Sequence, residues 1–121
     1  MRPFVIRGHV WRVARVMPGD PLLMDDTGIL RPATCDHRSR TIWMSTSIPI
    51  DMFDKVLLHE VAHAIMWETR LSDLLSLGTG TSRSEELLAW FLETHATEAI
   101  GITTTALGRG VCVDDICVKG Y

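Results

Sequence analysis

No run of this 121-residue chain approaches the roughly 20 uninterrupted apolar residues that a helix needs to cross a bilayer. A membrane partner is therefore not expected. Arg2 and Arg7 near the start are followed by no apolar core or small-residue cleavage site, so an export signal is not expected either. Basic clusters are also missing: 12 Lys and Arg against 15 Asp and Glu give a net charge of -3, and the cations are scattered. Without a basic footprint, nucleic acid is not an expected partner. Cysteine is scarce and odd in number, with Cys35, Cys112 and Cys117 only, which predicts reduced thiols and a cytoplasmic setting rather than a disulfide framework. Four residues separate Cys112 from Cys117, but no second pair follows to complete a structural zinc site. Repeats and low-complexity tracts are absent as well.

What remains is 46% apolar and only 7% aromatic residues, enough for one small domain over 1–121 with a modest core. A domain of this size profits from a fastening metal or partner. The composition changes character near residue 50. Before it, Val, Ile, Thr and Trp are punctuated by Pro18-Gly19-Asp20-Pro21 and Asp25-Asp26-Thr27-Gly28, a pattern of short strands and turns. Strands are expected at about Val5 to Val16 with a break at Gly8, at Ile29 to Thr34 and at Thr41 to Ser45, forming a small, mostly antiparallel sheet. From Asp51, a plausible N-cap, the spacing turns helical and apolar almost all round, the pattern of a buried helix. A loop is expected over Ser76 to Ser84. A second helix would follow a capping box at Ser82 to Glu85 and run to about Ile100. Beyond Gly101 lies a loose segment of about 102–121, with a hairpin around Asp114-Asp115 as one option. The fold class is thus α+β.

The informative stretch is His59-Glu60-Val61-Ala62-His63. Helical residues four apart stand one turn above each other, so both imidazoles would leave one face and grip a single Zn²⁺ through neutral nitrogens. Glu60, about 100° round the helix, falls beside the metal, where a general base for an activated water belongs. Independent placement would produce H-E-x-x-H in such a chain at roughly one per cent. Catalytic zinc takes a third protein ligand. The continuation Ala64 to Arg70 contains no histidine, so the metzincin solution is excluded. The second helix offers Glu85 and Glu86. Advancing about 100° per residue sets Glu85 on the shoulder of the face made by Leu87, Leu88, Phe91 and Leu92, and Glu86 nearly opposite it, which favours Glu85 with Glu86 as fallback. His95 reads as a hydrogen-bonded core residue. His9 and His37 read as surface, and Met66 and Trp67 as packing.

These residues resemble small gluzincin-type zinc metallopeptidases, in particular the ImmA/IrrE-like and compact phage-encoded members. The likeness covers about Thr41 to Ile100 and rests on I-W-M-S, V-L-L-H-E-V-A-H-A-I and E-E-L-L-A-W-F-L. It implies a minimal zincin fold, with the sheet packed on the H-E-x-x-H helix and a second helix, and an enzyme that hydrolyses a peptide or protein substrate with Zn²⁺ as cofactor. It further implies that the strand before the helix, Ile42, Trp43, Met44 and Ser45, binds an extended substrate by edge pairing. Leu88-Ala89 stands where many members carry Ala-Asn, and no Tyr or His maps onto the position that stabilises the oxyanion. The rival expectation is a non-catalytic zinc-containing binding module of zincin fold, serving phage regulation or assembly.

Overall fold

The computed structural model describes residues 1–70, 81–113 and 116–118, except the side chains of 81–90, 92, 93 and 116–118. It is an α+β domain in which one helix-covered sheet carries the core. Strand β1 (Phe4–Ile6) turns into β2 (His9–Val16) through Arg7 and Gly8, both at positive φ, as a two-residue hairpin connection requires. The break expected at Gly8 is this turn. After a short 3-10 turn at Pro21–Leu23 come β3 (Ala33–Asp36) and β4 (Thr41–Ser45). The sheet order is β1-β2-β4-β3, and the central pair β2·β4 is parallel while the outer pairs are antiparallel.

Two expectations shift here. The strand placed at Ile29 to Thr34 starts instead at Ala33. The Asp25 carboxylate accepts from the Thr27 and Ile29 amides, the Thr27 hydroxyl and the Arg31 guanidinium, which curls the preceding residues into a loop and leaves Ile29 and Leu30 half exposed. Helix α1 (Phe53–Glu68) is capped by Met52 with no side-chain bond, so Asp51 lies in the turn before it and is not the N-cap.

Alternation along the strands sends Phe4, Ile6, Trp11, Ile42, Met44 and Ala33 to one face, and α1 lays Phe53, Leu57, Val61, Ala64 and Ile65 against it. The helix is therefore buried along one face rather than all round, with Asp54 and Glu60 drawn into that face. Trp11 Nε1 and Arg40 Nε both donate to the Glu68 carboxylate, tying the end of α1 back to the sheet. Helix α2 (Thr81–Leu107) contributes Phe91, Ala99 and Ala106 to the core and runs through Gly101, ending at Gly108 in the left-handed region (φ 74°). Ser82 therefore lies inside the helix rather than at its cap. The loop expected over Ser76 to Ser84 lies outside the described residues up to position 80.

The segment expected to be loose is structured at 102–107 as helix, and β5 (Val111–Val113) pairs antiparallel with β6 (Ile116–Val118); Asp114 and Asp115, around which a hairpin was one expectation, lie outside the described residues. Asp54, at the start of α1, accepts two bonds from the Arg109 guanidinium and one from the Cys112 amide, anchoring this strand pair. Burial raises the Asp54 pKa, but these donors outweigh it and hold the carboxyl below its ordinary value. Cys112 is disulfide-bonded and faces Cys117 across the ladder, whereas Cys35 is free. This corrects the expectation of three reduced thiols and removes its support for a cytoplasmic setting. Among the described residues no helix is long and apolar enough to cross a membrane.

Candidate metal centre

Residues four apart on α1 repeat one turn later, and His59, His63 and Trp67 form such a row along the edge of the helix facing a cleft of about 1180 Å³. The cleft lies between α1 and the β3 side of the sheet. The Nε2 atoms of His59 and His63 stand 3.1 Å apart, with the rings at 73° to each other. Two arrangements satisfy this contact: a hydrogen bond between one protonated and one unprotonated nitrogen, or a shared cation. Zn–N bonds of about 2.0–2.1 Å in tetrahedral geometry put two nitrogens about 3.3 Å apart, so the separation of this pair is close to that of two ligands on one zinc ion. Burial of its flanks, and then the charges of His59 and His37, lower the His63 pKa and favour the neutral form that ligates.

Glu60 occupies the neighbouring helix face and is only 7% exposed while still lining the cleft. Burial alone pushes its pKa up to about 7. A carboxylate in that range exchanges protons at neutral pH, which is what acid–base chemistry needs.

Among the described residues, no group of three or more His, Cys, Asp or Glu is arranged to hold a metal. The expected third ligand, Glu85 with Glu86 as fallback, is carried by α2, but both side chains lie outside the described residues. His95 is buried and pairs through Nδ1 with Glu98 at 2.7 Å, in keeping with a core role.

The expected substrate strand needs correction. Strand β4 lies between β2 and β3, so both its edges are already paired, and Ile42 and Met44 are fully buried in the core. Ser45 is buried and shares a hydrogen bond with Ser47. Of the four, Trp43 alone lines the cleft. The two edge strands of this sheet are β1 and β3, and β3 is the one that borders the cleft. Its pairing with β4, extended by the Ser45 amide donating to the Pro32 carbonyl, turns the backbone groups of Ala33 and Cys35 away from β4.

His37, read from sequence as surface, lies in the cleft, and Trp67 is part of the cleft wall rather than packing alone. The two rings stack with centroids 4.4 Å apart and planes within 12°. The available signal was Asp36, whose carboxylate accepts from Arg38 and Ser39 and fixes the turn that holds His37. Comparison of the chain with family models, curated proteins and solved structures finds no match.

Proposed function

We propose that this chain is a zinc-dependent peptidase of the gluzincin kind, holding its metal with His59, His63 and a carboxylate from α2, Glu85 or failing that Glu86. The observation that carries the reading is the approach of the two Nε2 atoms to 3.1 Å beside a buried glutamate within one open cleft. When bound, zinc supplies Lewis acidity, lowering the pKa of water and polarising a carbonyl. Glu60 takes the proton of the attacking water and delivers it to the departing amine, and its raised pKa suits both transfers. An extended peptide lies along the outer edge of β3, exchanging backbone hydrogen bonds with Ala33 and Cys35. Leu22, Met24 and Met52 line the same cleft and favour apolar side chains in the peptide.

The test is hydrolysis of dye-labelled casein by the zinc-loaded chain and by Glu60→Gln. The variant is expected to keep its zinc and lose activity by about 10²-fold or more. Equal hydrolysis by both proteins would refute the assigned base. Zinc retention with no hydrolysis by the wild type would leave the binding-module reading in its place.

A further inference from the structure

One covalent bond in the molecule takes no part in the cleft chemistry above. Cys112 is disulfide-bonded, Cys35 is free, and Cys117, directly opposite Cys112 in the β5·β6 ladder, is the one other cysteine of the sequence. We propose that the Cys112–Cys117 bond is a reducible latch that grips the first turn of α1 through Asp54 and so sets how firmly the adjoining wall of the cleft is held. The inference does not rest on the peptidase reading.

Ladder geometry argues for it first. In an antiparallel pair each residue turns its amide and carbonyl either toward the partner strand or away from it. The Cys112 amide donates to the Asp54 carboxylate at 2.7 Å and is therefore turned away from β6. Cys112 and Cys117 thus form the non-hydrogen-bonded kind of pair, whose Cα atoms stand about 4.5 Å apart, within the span a disulfide bridges. No backbone bond joins these two residues, so the sulfurs alone tie β5 to β6 at this pair.

The connection to the cleft runs through Asp54. Its carboxylate is 3% exposed, lies in the first turn of α1 and accepts from the Cys112 amide and the Arg109 guanidinium. Met52 and Lys55, on either side of it in the chain, line the cleft. Strand β5 packs against both helices, with Val111 buried beside Cys112. What fixes β5 therefore fixes this turn.

Opening the bond acts locally. Cys112 is half-buried and stands outside the core cluster built around Trp11 and Leu57, so a reductant reaches it without unfolding the domain. Arg109 precedes β5 and keeps its bonds to Asp54 in either state. A pair of three-residue strands is marginal without a cross-link. Only four residues separate the cysteines, and in the chain-entropy account removing the cross-link from so short a loop lowers the closed-to-open ratio roughly 40-fold. The reductant is a dithiol. One of its thiolates attacks a sulfur of the bond to give a mixed disulfide and releases one cysteine, which takes up a proton; its second thiol displaces the other cysteine, leaving two protein thiols and the reagent as a cyclic disulfide.

The experiment compares the full chain, air-oxidised and after dithiothreitol, by iodoacetamide labelling under denaturing conditions and by amide hydrogen exchange. The oxidised chain should take one label, at Cys35, and the reduced chain a label at every cysteine. On reduction the Cys112 amide should exchange about tenfold or more faster, and the Val56 amide, which donates to the Met52 carbonyl across the first turn of α1, about threefold or more faster. Amides around buried Ile65 should keep their rates. The double variant Cys112→Ser, Cys117→Ser should match the reduced chain with or without dithiothreitol. Full labelling of the oxidised chain overturns the proposal. So do unchanged rates at Cys112 and Val56 on reduction, and so does acceleration along the whole of α1, which would make the bond a staple of the entire fold.

Discussion

Glu60 gives the folded chain a pH dependence that a glutamine in its place would abolish. Its pKa rises from 4.5 to about 7 because burial disfavours the charged form. A carboxyl whose folded pKa exceeds its unfolded value stabilises the fold below the unfolded value, and that contribution disappears as pH rises through the folded one. At 1.36 kcal/mol per pKa unit, the wild type should lose about 3 kcal/mol relative to Glu60→Gln between pH 4 and pH 8. The assay is urea denaturation of both proteins across that range with a chelator present. His37 and His63 have lowered pKa values and act in the opposite sense, adding stability as pH rises toward and past 6.5, but they are common to both proteins and cancel in the difference. Saturating zinc should flatten the difference, because a cation beside Glu60 favours its ionised form. A difference that stays constant with pH in the chelated proteins would refute the reasoning.

Leu57 is fully buried at the centre of the α1 face, and Leu57→Ala should destabilise by about 3 kcal/mol, read as a fall in the urea midpoint with an unchanged slope. Arg109→Ala removes two charge-assisted bonds to buried Asp54 and should lower stability by about 1–2 kcal/mol at neutral pH, a figure already reduced because the guanidinium is half exposed. Because the Asp54 carboxyl is held below its ordinary value, that contribution is present above the unfolded pKa and lost as pH falls through the folded one, so the effect of Arg109→Ala should shrink in acid.

Local patterns were legible where neighbours along the chain decide them. Thr41 to Ser45 alternates and is β4 as expected, and the H-E-x-x-H spacing places two imidazoles on adjacent turns of α1 because helical periodicity is a local property. Pairing between distant strands was not legible. The parallel contact of β2 with β4 puts β4 in the interior of the sheet and leaves β3 as the edge beside the cleft, which nothing in Ile42 to Ser45 records. Ile29 and Leu30 look like strand residues, yet the Asp25 carboxylate commits their backbone to a turn. Gly101 suggests a helix end, but α2 packs through Thr103 and Ala106 beyond it and stops only at Gly108. His37 reads as surface in the sequence because its partner in the stack, Trp67, comes from another element.

Binding of one divalent ion between His59 and His63 is tested most directly by a crystal structure of the zinc-soaked full chain, with anomalous data at the zinc edge. A single strong anomalous peak is expected about 2.1 Å from the Nε2 atoms of both residues, with Glu85 or Glu86 as the third protein ligand. A His59–His63 pair still hydrogen-bonded ring to ring, with zinc absent or bound elsewhere, would contradict it.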